Sequence, residues 1–190
     1  MENTHIEVKE QPAALKGVYT ITVADLVHPD AWALQEKIQE ARARGDGAEA
    51  RRLILELNSR FASQTIVVPN LIPTVGRSVL AQRLANTTTY TGIINKVALG
   101  TGNTAPANGD TQLGTETYRN NAASLTYADN IAYITGFFTA TEVSGTFAEA
   151  GLFIDGTASA NTGQLFSRVL VAVTKTTLQT LTIDWQLTIS

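Results

Sequence analysis

Residues 180–189 read TLTIDWQLTI, in which Leu181, Ile183, Trp185, Leu187 and Ile189 alternate strictly with Thr180, Thr182, Asp184, Gln186 and Thr188. A period of two is the geometry of a β-strand, whose successive side chains point to opposite faces, and no helix gathers those five apolar residues on one side. A strand of this kind requires paired neighbours and a core on one face. The segment from Gly145 to Lys175 extends the argument: two apolar runs, GTFAEAGLFID and QLFSRVLVAVTK, flank the loop GTASANTG. The second is apolar on both sides, as a strand covered on both faces would be. Phe147, Leu152, Phe153, Val169, Val171, Ile183, Trp185 and Leu187 are therefore the expected core or interface residues.

From Gly92 onward, short β-rich segments are punctuated by turn residues at Asn103, Asn108 to Asp110, Asp129-Asn130, Ser144-Gly145 and Asn161 to Gly163. Five or six strands spaced this way predict a mainly β domain over 92–190, an antiparallel sandwich or jelly roll. The preceding part is different in character: residues 1–66 carry 18 of the 31 charged side chains. Residues 1–28 read as an arm with a short strand at Tyr19–Val23, added to a sheet edge. Pro29 and Asp30 suit a first helical turn. Gly45-Asp46-Gly47 breaks that helix, and Asp46 with Glu49 three residues on has the form of a capping box. Residues 29–66 are thus an αα-hairpin whose apolar positions Trp32, Ile38, Leu53, Leu57 and Phe61 must dock on the β domain or on another subunit. A connecting helix, capped by Thr74, falls within 67–91.

A net charge of −3, with acidic and basic residues interleaved, gives no footprint for nucleic acid. No apolar run approaches the roughly 20 residues that span a bilayer, and the first residues carry charge rather than a signal-like apolar core, so no membrane insertion is expected. The absence of cysteine removes disulfides and thiol chemistry. His5 and His28 are the only histidines, and neither lies in the β domain. The candidate acids are Glu142, Glu149, Asp155 and Asp184. Of these only Glu149 stands in apolar surroundings, where a carboxylate needs a partner, and Arg168 and Lys175 on the following strand are the candidates for a structural ion pair fixing the register. The turn Gly100 to Thr104 lacks the Lys-Ser/Thr ending and the following helix of a phosphate loop. Asp110 and Asp155 are too few carboxylates for a convincing calcium site. No catalytic, cofactor or metal site is expected.

Ala98-Leu99-Gly100-Thr101-Gly102, Pro106, Asp110-Thr111, Leu113, Glu116 and Arg119 form one half of an ordered pattern. Glu149 to Phe153, Leu165 to Arg168, Lys175 and the last strand with Trp185 form the other, preceded by the helix from Gly76-Arg77 to Leu84. Over residues 70–190 this resembles a family of tailed-bacteriophage virion structural proteins, found among tail-fibre, baseplate-associated and related particle components. The resemblance implies a non-enzymatic virion protein, assembled in the host cytoplasm with other virion proteins and needing no cofactor. The expected form is a homo-oligomer, a trimer favoured, that acts as a tail adaptor and docks through its N-terminal region. A capsid decoration (cement) protein and a receptor-binding module for the host surface are the alternatives.

Overall fold

A computed structural model describes residues 15–190; the part of the expected arm in residues 1–14 lies outside them. The protein is mainly β, with eight strands in one antiparallel sheet among the described residues. In chain order the elements are β1 (Leu15–Asp25), α1 (Pro29–Ala43), α2 (Gly47–Phe61), β2 (Ala62–Pro69), α3 (Thr74–Leu84), β3 (Ile94–Gly100), β4 (Glu116–Ala128), β5 (Ile131–Phe138), β6 (Gly145–Ile154), β7 (Gln164–Lys175) and β8 (Gln179–Ile189). The strand order is β2-β1-β8-β5-β4-β3-β6-β7.

The sheet nearly closes on itself. Just beyond β2, Leu71 and Arg168 form a two-hydrogen-bond bridge, with Leu71 N–H donating to the Arg168 carbonyl at 3.1 Å and Arg168 N–H to that of Leu71 at 3.0 Å. Close by, the Trp185 indole donates to Asn70 Oδ1 at 3.1 Å, and the Asn70 amide donates to Ser167 Oγ. This polar chain links β8 to β7 through the residue after β2, so both ends of the strand order are tied together.

Two cores follow. The inner one gathers Tyr19, Ile21 and Val23 of β1, Val97 and Leu99 of β3, Phe147 and Leu152 of β6, Phe166, Val169 and Val173 of β7, and Leu181, Ile183, Trp185 and Leu187 of β8. Strict alternation in β8 thus places its five-residue apolar face inward, except at the frayed end, where Ile189 is exposed. Among the expected core residues Val171 is only partly buried, at the periphery of this cluster, and Phe153 belongs to a smaller one with Ala98, Leu113 and Leu165.

The second core lies between the αα-hairpin and the outer face of the sheet. Leu34 and Ile38 of α1 and Leu53, Ile54 and Leu57 of α2 pack with Ala24 of β1, Ala123 of β4 and Phe137 of β5. Polar anchors reinforce it. Arg51 donates twice to the Asp184 carboxylate, at 2.8 and 3.1 Å, and lies over the Tyr133 ring, and Ala140 N–H donates to Gln35 at 2.9 Å. Ile38, Leu53 and Leu57, expected on a docking face, are therefore buried against the chain's own sheet. Of that set Trp32 is exposed, and Phe61, partly buried, stacks on His28.

Three further expectations need correcting. The strand at Tyr19–Val23 is not an edge strand: β1 pairs with β2 on one side and with β8 along eleven residues on the other. The segment 1–66, expected as an appendage, thereby supplies all of β1 and most of β2. Thr74 is the first residue of α3 rather than its cap; Pro73 occupies that position and offers no side-chain hydrogen bond. The Asp46 cap does form, accepting from Glu49 N–H at 3.0 Å.

Because the hairpin stripe is buried within the chain, Ile38→Ala and Leu53→Ala are each expected to lower the unfolding free energy by about 2–5 kcal/mol. Denaturant unfolding of the purified protein measures this; residues on a free docking face would change it by less than about 0.5 kcal/mol.

Candidate functional site

Two of the residues singled out for chemistry, Glu149 and Arg168, meet where the long loop between β3 and β4 folds over β6 and β7. Glu149, in the middle of β6, is fully buried. Isolated there, its charge would be costly, so every lone-pair direction needs a donor. One oxygen accepts from Gly102 N–H at 3.0 Å and Thr115 N–H at 2.7 Å; the other accepts from Gly114 N–H at 3.0 Å and the Arg168 guanidinium at 2.9 Å. The turn that resembled a phosphate cradle thus holds the chain's own carboxylate. Glycine is required at this approach: a Cβ on Gly102 would lie 2.4 Å, and one on Gly100 2.6 Å, from the Glu149 carboxylate.

Arg168 is the hub. Besides Glu149 it donates to Asp110 Oδ2 at 2.7 Å and to the Thr104 carbonyl at 2.9 Å, so its fork grips the loop at two further points. Burial works against the Arg168 charge, but the hydrogen bonds to Asp110 and Glu149 outweigh it and its pKa stands above the ordinary value. Partial burial likewise pushes Asp110 up, while the Ala107 amide and the Arg168 guanidinium together leave its pKa below the usual 3.8. Asp110, weighed in the sequence only as one of too few carboxylates for a calcium site, here faces an arginine.

Lys175 does not join the pair. The β6–β7 register sets it opposite Gly145 at the far end of the hairpin, whereas Arg168 sits opposite Gly151, diagonal to Glu149. Lys175 is buried and donates to the carbonyls of Ala140, Val143 and Thr176 at 3.1, 2.5 and 3.2 Å. Burial pushes its pKa down to about 8, with Glu142 opposing the shift.

A second node, not anticipated as an ion pair, lies beside the first. Arg119 of β4 pairs with Glu116 through two short hydrogen bonds, covers the Phe153 ring, and donates to the Thr162 carbonyl at 3.0 Å, while Glu116 accepts from Asn161 N–H. It fixes the β6–β7 loop as Arg168 fixes the β3–β4 loop. The remaining acids are also engaged. Glu142 accepts from Asn120 and from Thr139 N–H, Asp155 accepts from Thr91 at both oxygens, and Asp184 is held by Arg51 and Thr135. His28 caps α1, accepting from Asp30 N–H at 3.1 Å; His5 lies outside the described residues. Among the described residues no group of three or more His, Cys, Asp or Glu side chains is disposed to hold a metal ion.

Comparison with protein-family models, with curated proteins and with solved structures found no match to this chain.

Two outcomes follow for the Arg168 node. Glu149→Gln and Arg168→Met each leave a buried charge without its counterpart and are expected to cost about 3–5 kcal/mol in denaturant unfolding; the double variant costs clearly less than their sum, because the two changes share one interaction. Asp110 supplies the acid response. Its folded pKa is depressed, so its contribution is fully present above the unfolded value of 3.8 and lost as pH falls through the lower folded one. Asp110→Asn is therefore less stable near neutrality and loses less further stability on acidification than the parent, as thermal unfolding across a pH series would record.

Proposed function

We propose that this protein is a non-enzymatic structural component of a tailed-bacteriophage particle, a tail-fibre- or baseplate-associated adaptor built as a homo-oligomer, a trimer being the favoured state. The observation that carries the reading is where the resemblance residues meet in space. Gly100, Gly102, Asp110, Glu149 and Arg168, together with Glu116 and Arg119, make two adjoining buried nodes that hold the long loops. The pattern describes a scaffold, and a rigid scaffold is what repeated particle contacts require.

The same accounting supports a non-enzymatic role, since the acids offered by the sequence each accept hydrogen bonds from within the chain. Docking through the N-terminal region takes a different form from the one first expected. With Ile38, Leu53 and Leu57 buried, the large apolar side chains that the described part of this region leaves for a neighbouring virion protein are Val18, Val27, Trp32 and Leu55.

The test is on particles released from cells that carry the gene. Immunogold labelling with an antibody against this chain is expected to mark the tail, at a few to tens of copies per particle by quantitative mass spectrometry. Labelling of the head at hundreds of copies would move the protein to a decoration role, and absence from purified particles would overturn the reading.

A further inference from the structure

A cleft away from both ion-pair nodes lies between the α1–α2 turn and β4. Its volume is about 760 Å³, inside the range of roughly 300–1,000 Å³ in which small ligands are held. Gln39, Arg42 and Gly45 line it from the hairpin, Asn121 and Ser124 from β4, and Glu142 from the loop after β5.

Three of these groups are incompletely satisfied. Ser124 is 2% exposed and its hydroxyl has no hydrogen-bond partner, a state that folded proteins rarely leave unexplained. The Arg42 guanidinium is largely buried. Its nearest carboxylate oxygen, on Glu142, is 4.0 Å away and its other neighbour is the Phe137 ring at 5.9 Å, so it makes no hydrogen bond of its own. Asn121 has its Oδ1 engaged by Lys96 Nζ at 2.6 Å, so what it offers the cleft is its amide NH2, a donor.

We propose that this cleft binds a neutral, polyhydroxylated ligand, a saccharide. The charges decide the class. An anion entering the cleft meets Glu142, and a cation meets Arg42 and the Lys96 ammonium held on Asn121, so a ligand of either sign faces a like charge. Sugar hydroxyls both donate and accept. They can take hydrogen bonds from Arg42 and Asn121 and donate to the Glu142 carboxylate. Ala43, Ala48, Ala122 and Ala123 supply small apolar surface against which the C–H face of a sugar ring can lie. The site is independent of the location proposed above, because it belongs to the folded chain by itself.

The experiment is a titration of the purified, isotope-labelled full chain with glucose, galactose, N-acetylglucosamine, maltose and lactose, followed through backbone amide shifts. At least one of these sugars is expected to shift the amides of Gly45, Gly47, Asn121 and Ser124 saturably. Arg42→Gln, and independently Asn121→Ala on the exposed rim, should weaken that binding roughly tenfold with the amide spectrum otherwise intact. No saturable shift from any of them at roughly 50 mM overturns the proposal. Binding that both variants leave unchanged overturns it too. Failure of the titration leaves the particle reading untouched, and absence from particles leaves the cleft untouched.

Discussion

Arg168 holds together parts of the molecule that its strand order would otherwise leave apart. Its backbone makes the two-hydrogen-bond bridge to Leu71 by which the sheet nearly closes, and its side chain reaches Glu149, Asp110 and Thr104. The physical constraint behind this is desolvation. A carboxylate and a guanidinium buried together are stable only when each remaining lone pair and N–H is satisfied, and the long β3–β4 loop supplies what the pair lacks. The loop is ordered because the charges need it, and the charges are tolerable because the loop is there. A single break would therefore be felt at the sheet seam, at β6 and along the loop at once.

The αα-hairpin obeys a simpler rule. Two helices of fifteen residues with narrow apolar stripes cannot stand alone in water, and the outer face of β1, β4 and β5 offers Ala24, Ala123 and Phe137 to cover. Arg51 then crosses to Asp184, a residue buried deeply enough that desolvation raises its pKa against the opposing pull of Thr135 and Arg51. Hairpin and sheet pack as one unit, and on and beside the hairpin this packing leaves Val27, Trp32 and Leu55 exposed.

Much of this was legible from local pattern. Alternation in β8, the two apolar runs of β6 and β7, the Asp46 cap and the need of Glu149 for a basic partner all follow from residues close in sequence. What remained hidden depends on distant pairing. Val23 lies beside Leu181 and Gln64 beside Val23, a register that no periodicity encodes, so β1 and β2 could not be assigned to the same sheet as β8. Choosing Arg168 over Lys175 required the hairpin register, including a bulge between Phe147 and Glu149. A stripe tells which side of a helix is covered and not what covers it. The Ser124 hydroxyl, buried without a partner beneath the hairpin turn, had no sequence signal at all.

The claim that one arginine couples the loop to the sheet seam is tested most directly by amide hydrogen exchange in Arg168→Met against the parent. The account predicts that Gly102, Gly114, Thr115 and Leu71 lose protection together, by more than the amides of β1 and β8 that pair with each other. Unchanged protection at Gly102 and Thr115, or loss confined to the loop with Leu71 still protected, would contradict it.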